Sequence, residues 1–328
     1  MQRRMRFTAG LLCAAGLAAA SIFSAGAASA QARSALPVDH SFAAGLATGL
    51  ASPTVSPPGS NDFSCRPSAA HPFPVVLVHG TIENMNDNWQ AASPLLANHG
   101  YCVFAFNYGG ASPASPIQAT GDIVASAGQL AAFIDKVLAA TGARKVDIVG
   151  HSQGGMMPRY YLKFLGGAPK VHTLVGLAPS NHGTTIDGLT TLQQAIGVPA
   201  VNLPLGIACQ SCVEQEVGSA FMTRLNTGGD TVPGVNYTVI ETRYDEVVTP
   251  YTSAFLTGPD VTNITVQNQC PADMSDHLQI SYDPVALTDV LNALDPAHPV
   301  PVSCTAVLPV LGPAAPVPSS ELRASGER

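Results

Sequence analysis

Charge is scarce in this chain. Asp, Glu, Lys and Arg make up 11% of its 328 residues, against about a quarter in an ordinary soluble domain. The surface must therefore rely on Ser, Thr, Asn, Gln, Gly and Pro. Positive charge is scarcer still, with 15 Lys and Arg against 22 Asp and Glu. Arg3, Arg4 and Arg6 carry all the charge of the first 30 residues, so without that segment the balance is 12 against 22, or −10. That leaves no basic footprint for nucleic acid. After residue 30 no stretch reaches the roughly 18 uncharged apolar residues that a membrane span needs. No histidine lies within 20 residues of Cys209 or Cys212, and there is no second closely spaced cysteine pair, so Cys209-Gln210-Ser211-Cys212 does not read as a metal site. At 46% hydrophobic, the chain is too apolar to be disordered throughout.

What is present begins with a targeting signal. Three arginines precede the apolar run 7–23, and Ala28-Ser29-Ala30 reads as a small-residue cleavage site before Gln31. Arg3-Arg4 also fits a twin-arginine route, so the export route stays open. Cleavage removes Cys13 and leaves Cys65, Cys102, Cys209, Cys212, Cys270 and Cys304. Six cysteines in an oxidising compartment predict three disulfides, with 15 possible connectivities. Residues 31–62 show no periodic pattern and read as an N-terminal arm. Residues 63–304 read as one folded domain, and 305–328 as a mobile Pro-rich tail.

Between these ends, strand-like and helix-like segments alternate. Residues 74–79, 101–106, 146–149 and 171–177 are short continuous apolar runs, as in strands buried on both faces. Residues 237–241 and 263–267 supply two later strands. Ile123, Ala127, Leu130, Ile134, Val137 and Leu138 lie on one helical stripe, with Asp122 as N-cap and Gly142 just past the C-terminus. This alternation predicts an α/β fold with a mostly parallel central sheet flanked by helices. Residues 183–234 break the rhythm, being Leu- and Gly-rich without a clear strand, and read as a lid- or cap-like insertion over a site.

The most informative segment is residues 146–155: an apolar strand, then Gly150-His151-Ser152-Gln153-Gly154, then a helix expected over 156–165. In G-x-S-x-G a sharp strand-to-helix turn lifts the serine hydroxyl above the sheet, and bulky neighbours would clash there. Ser152 is thus the expected nucleophile. The backbone N–H of Gln153 is one oxyanion donor, and Thr81, after the 74–79 strand, offers the second. The general base must follow Ser152 in the chain. His172 lies within a strand, His298 in the Pro-rich tail, and His182 too early for a strand-borne acid to precede it. This leaves His277 as the best base, with His182 shaping the loop beside the site. Asp245, just past the 237–241 strand, is the preferred acid over Glu246, Asp260 and Asp276.

These segments resemble the secreted bacterial class 2 triacylglycerol lipases, α/β-hydrolases distantly related to the yeast lipase B type. The matching residues are Ser64-Cys65-Arg66-Pro67, 74–81, 150–155, Asn181-His182-Gly183-Thr184, 244–250 and Asp276-His277, spread over about residues 60 to 305. The related yeast enzymes carry Thr-x-Ser at the elbow where this chain keeps Gly150. The resemblance implies an α/β-hydrolase fold, the triad Ser152, Asp245 and His277, and oxyanion donors at Thr81 and Gln153. It also implies disulfides Cys65–Cys102 and Cys270–Cys304, leaving Cys209 with Cys212.

The expected activity is ester hydrolysis through an acyl-enzyme, without metal or organic cofactor. The substrate is an acylglycerol or other neutral ester met at a lipid–water interface by a secreted monomer. Ile186, Leu189 and Leu192 are the candidate acyl-binding residues, with ordinary core packing as their alternative. Polyester hydrolysis, short-chain ester hydrolysis and acyl transfer would use the same machinery. An amidase or peptidase, and a secreted binding protein that keeps the fold without turnover, are the remaining alternatives.

Overall fold

Six strands form one parallel sheet in a computed structural model that describes residues 34–195 and 209–314. They are β1 (Val75–Val78), β2 (Val103–Ala105), β3 (Val146–His151), β4 (Val171–Leu177), β5 (Asn236–Glu241) and β6 (Val261–Thr265), in the order β2-β1-β3-β4-β5-β6. Side chains alternate between the two faces of a strand. Val75 and Leu77 of β1 therefore join one apolar cluster, and Val76 and Val78 the other. The first cluster is completed by α1 (Phe42–Ala51), α3 (Ala92–Asn98) and α10 (Pro284–Leu294). The second is completed by α4 (Ile123–Thr141), α5 (Gln153–Phe164) and α8 (Ala220–Asn226). Both faces are covered over β1 to β4, which is why those strands read as apolar runs, whereas the edge strand β6 is partly exposed.

The long helix follows its sequence signals. Asp122 Oδ1 accepts from the Ala125 N–H at 2.7 Å, and Gly142 closes α4 with φ 74°. By length and hydropathy α4 alone among the described helices could cross a membrane. Here Ile123, Ala127, Leu130, Ile134 and Val137 are fully buried, and the helix is a core element.

Beyond shifts of one or two residues at the ends of β1, β2, β3 and β5, four readings differ from the sequence expectation. First, α5 starts at Gln153, directly behind Ser152, rather than at 156. Second, β6 ends at Thr265, where its partner β5 ends, and residues 266–269 form the single turn α9 (Val266–Gln269). Third, the arm is not unpatterned. Ser41 caps α1, whose Phe42 is fully buried edge-on to Tyr282, and Gly45 and Gly49 leave room for Tyr282 and Asp87. Contact through glycine produces no apolar stripe, so periodicity missed this helix. Fourth, the described part of the tail is attached. Val307–Leu308 pairs antiparallel with Gly312–Pro313, and buried Val307 accepts from the Met274 N–H at 2.9 Å. Residues 1–33, where a signal segment is expected, and residues 315–328 lie outside the described residues.

The strand-poor excursion contains α6 (Ile186–Ala195), α7 (Gln210–Glu214) and α8. The chain leaves β1 to build β2 on one side and returns to build β3 on the other. The carboxyl ends of β1 and β3 therefore flank a switch point, where loops diverge and leave a crevice.

Candidate active site

The residues singled out as nucleophile, base and acid meet at that crevice. Ser152 follows β3 in a strained conformation, φ 53° and ψ −122°, which only a crowded turn would impose. The neighbouring glycines show the crowding. A Cβ on Gly150 would strike the Gly154 carbonyl, and one on Gly154 would strike the carbonyls of Val78 and His79. Although Ser152 occupies the N-cap position of α5, its hydroxyl makes no capping bond. Its Oγ lies instead 3.0 Å from His277 Nε2.

His277 Nδ1 lies 2.8 Å from Asp245 Oδ2, with both side chains fully buried. The other Asp245 oxygen accepts the N–H groups of Val247 and Val248 at 2.8 and 2.7 Å. An acceptor-only carboxylate at Nδ1 puts the ring proton there and leaves Nε2 free to take the serine proton. Burial would lower the His277 pKa, but the Asp245 charge and hydrogen bond, helped by Glu246 and Glu83, raise it to about 9. Glu241, buried at the end of β5, is pushed well above the carboxylate range by burial and by the charge of Asp245.

The competing acids are occupied elsewhere. Asp276 Oδ1 accepts from the Gln279 N–H, Glu246 Oε2 receives the backbone N–H of His277, and Asp260 is exposed at the start of β6. The other histidines stay out of the triad. His172 pairs with Asp147, His182 bridges Ser253 and Asp230, and His298 is exposed.

Thr81 and Gln153 also come together. The Thr81 hydroxyl donates to Gln153 Oε1 at 2.8 Å, while Gln153, first residue of α5, presents a backbone N–H with no intrahelical acceptor. Gln215 Nε2 donates to both Thr81 Oγ1 (2.9 Å) and Gln153 Oε1 (3.0 Å), and its own Oε1 accepts from Ser180. Nothing in Cys212-Val213-Glu214-Gln215 distinguishes this glutamine in sequence. Its role exists only because α7 folds back over the elbow. Glu83 and His151 beneath the triad were also missed.

The acyl-binding residues do not assemble as expected. Leu192 is core packing, clustered with Val247, and Leu189 packs on the Cys209–Cys212 disulfide. The side chain of Ile186 lies outside the described residues. Cavities of about 540 and 360 Å³ are lined by none of Ser152, Asp245 and His277. The six cysteines among the described residues pair as Cys65–Cys102, Cys209–Cys212 and Cys270–Cys304.

Comparison with known proteins bears on the fold and the family. A triacylglycerol lipase of Pseudarthrobacter phenanthrenivorans is 39% identical over 97 residues, which is 28% of this chain and 28% of that one. Another, from Burkholderia plantarii, is 39% identical over 97 residues, 28% of this chain and 25% of its own. These alignments thus span only about a quarter of the curated relatives. The solved structure of Aspergillus fumigatus lipase B superposes with a TM-score of 0.58 at 23% identity, covering 76% of this chain and 57% of that one. That likeness establishes the α/β-hydrolase fold. Residues 72–288, more than half of the chain, match the family model described as lipase (class 2). The chain belongs to the class 2 lipase family.

Proposed function

We propose that this chain is a serine carboxylic ester hydrolase acting on neutral lipid esters, acylglycerols first among them. The observation that carries this reading is the unbroken chain Ser152 Oγ, His277 Nε2, His277 Nδ1 and Asp245 Oδ2, at 3.0 and 2.8 Å, on a strand–turn–helix elbow. His277 takes the Ser152 proton as Oγ attacks the ester carbonyl. The backbone N–H groups of Thr81 and Gln153 hold the oxyanion. His277 then protonates the departing alcohol and activates water to release the acid. Asp245 fixes the ring tautomer and stabilises the imidazolium.

Substrate class is argued from charge and from the family. Without its first 30 residues the chain carries −10, so anionic head groups gain no general attraction and affinity for lipid must come from apolar contact. The triacylglycerol lipases it resembles support neutral substrates. Six paired cysteines support export to an oxidising compartment, with cleavage before Gln31.

The test is Ser152→Ala. The purified parent should react with a fluorophosphonate and hydrolyse p-nitrophenyl esters. The variant should do neither, with a melting temperature within about 2 °C of the parent, because alanine keeps the strained turn. Labelling that survives the substitution sinks the nucleophile. A panel from C2 to C16 esters then separates a lipase from a short-chain esterase.

A further inference from the structure

Beneath the triad lies a buried contact between Glu83 and His151 that the reaction as described does not use. His151, the last residue of β3, is fully buried, and Glu83, from the loop after β1, is 1% exposed. His151 Nδ1 lies 2.8 Å from Glu83 Oε2, and His151 Nε2 lies 2.8 Å from the backbone carbonyl of His277. A carbonyl oxygen only accepts, so Nε2 carries a proton and donates it. Glu83 Oε2 also accepts the Gly80 N–H at 2.8 Å, and Glu83 Oε1 accepts Asn88 Nδ2 at 3.1 Å. Asn88 Nδ2 also lies 3.0 Å from His151 Nδ1 and 3.2 Å from Ser281 Oγ.

Each contact belongs to a different loop of the site. Gly80 precedes Thr81 in the oxyanion loop, His151 precedes Ser152 on the elbow, and His277 is the base itself. The strands fix where β1 and β3 end, but residues 270–281, which carry the base, lie beyond the last strand of the sheet. The Cys270–Cys304 disulfide and the Met274 N–H on the Val307 carbonyl anchor the start of that loop, Glu246 Oε2 accepts the His277 N–H at 3.3 Å, and the His151 bond meets the loop at the base's own carbonyl. We infer that Glu83 and His151 are a positioning pair. Glu83 locks the His151 ring to the oxyanion loop, and His151 Nε2–H holds the His277 backbone where Nε2 of the base meets Ser152 Oγ.

The inference rests on the triad reading and adds a requirement to it. A base displaced by about 1 Å costs about 100-fold in turnover without altering how substrate binds. Loss of the link should therefore appear in kcat and leave KM alone.

The decisive comparison is His151→Gln against His151→Asn. Both are neutral amides in the same buried site, beside the same Glu83 carboxylate. Gln extends far enough to donate to the His277 carbonyl as Nε2 does, whereas Asn reaches only the Glu83 side. His151→Gln should keep kcat within about tenfold of the parent, and His151→Asn should lose about 100-fold, with KM for a p-nitrophenyl ester within twofold in both. Equal kcat values in the two variants, or a loss carried by KM, overturn the inference. Glu83→Asp is the second arm and decides should either amide variant fail to fold. Its shorter carboxylate withdraws from Nδ1 while His151 stays, and kcat should fall about tenfold at unchanged KM. Parent-like kcat in a folded Glu83→Asp protein refutes the pair. A parent that neither labels with fluorophosphonate nor turns over ester brings down the triad reading itself, before any variant is compared.

Discussion

Replacing Asp245 with Asn tests the acid assignment severely, because its two oxygens have different duties. Oδ1 accepts two backbone N–H groups, from Val247 and Val248, and Oδ2 faces His277 Nδ1. An asparagine has one carbonyl oxygen, and the two backbone donors will claim it. Its NH₂ must then point at Nδ1. His277 is forced to accept there and to carry its proton on Nε2, where it cannot take the proton of Ser152. In serine hydrolases this wrong-tautomer state costs about 10⁴ in kcat, or about 5.4 kcal/mol of transition-state stabilisation. A Coulomb estimate agrees in scale, since two unit charges 4 Å apart at an effective dielectric of 20 interact by about 4 kcal/mol. The loss of the carboxylate also leaves burial opposed only by the charges of Glu246 and Glu83, which lowers the His277 pKa, so the remaining activity should persist to lower pH than in the parent. Steady-state kinetics on p-nitrophenyl butyrate, with fluorophosphonate burst titration to count active sites, measures both effects. Glu246→Gln is the control and should stay within about tenfold. If Asp245→Asn keeps a tenth of parental kcat, or if Glu246→Gln suffers the 10⁴ loss instead, the acid is misassigned.

A His277 pKa raised from 6.5 to about 9 has two consequences of opposite sign. The base works only when deprotonated, so kcat/KM should climb from pH 7 to about 9, where a profile flat above pH 7 refutes it. The stability from the raised pKa is full below 6.5 and fades as pH rises through 9, so the melting temperature should fall across the same window. Gly154→Ala places a Cβ against the carbonyls of Val78 and His79, a backbone clash that should cost about 3 kcal/mol or more by denaturant titration. The disulfides should rank by loop length. Cys65–Cys102 and Cys270–Cys304 span 37 and 34 residues and should each contribute about 4 kcal/mol, against about 1.5 for Cys209–Cys212 with its separation of 3. Cys→Ser pairs measured by thermal unfolding decide the order, and a dominant Cys209–Cys212 bond would contradict it.

Local patterns sufficed for whatever depends on a residue and its near neighbours. Continuous apolar runs placed β1 to β4, because a strand covered on both faces has no polar side to interrupt it. Asp122 and Gly142 marked the ends of α4, because caps satisfy backbone groups within a turn. Ser152 was legible because a nucleophile elbow needs its glycines within two residues. Asp245 and His277 followed by elimination along the chain.

What the sequence withheld was set by contacts between distant segments. Gly45 and Gly49 make α1 a docking helix only because Tyr282 and Asp87 lie opposite. Gln215 reaches Thr81 and Gln153 only because α7 folds over them. Leu192 and Leu189 looked like an acyl surface by composition, yet packing sent one to the core and the other to a disulfide. Glu83 and His151 are 68 residues apart, and alone each would be a charge or ring too costly to bury. Burial became acceptable only when folding brought the carboxylate, the imidazole and the His277 carbonyl together, and tertiary structure alone supplies such a pairing.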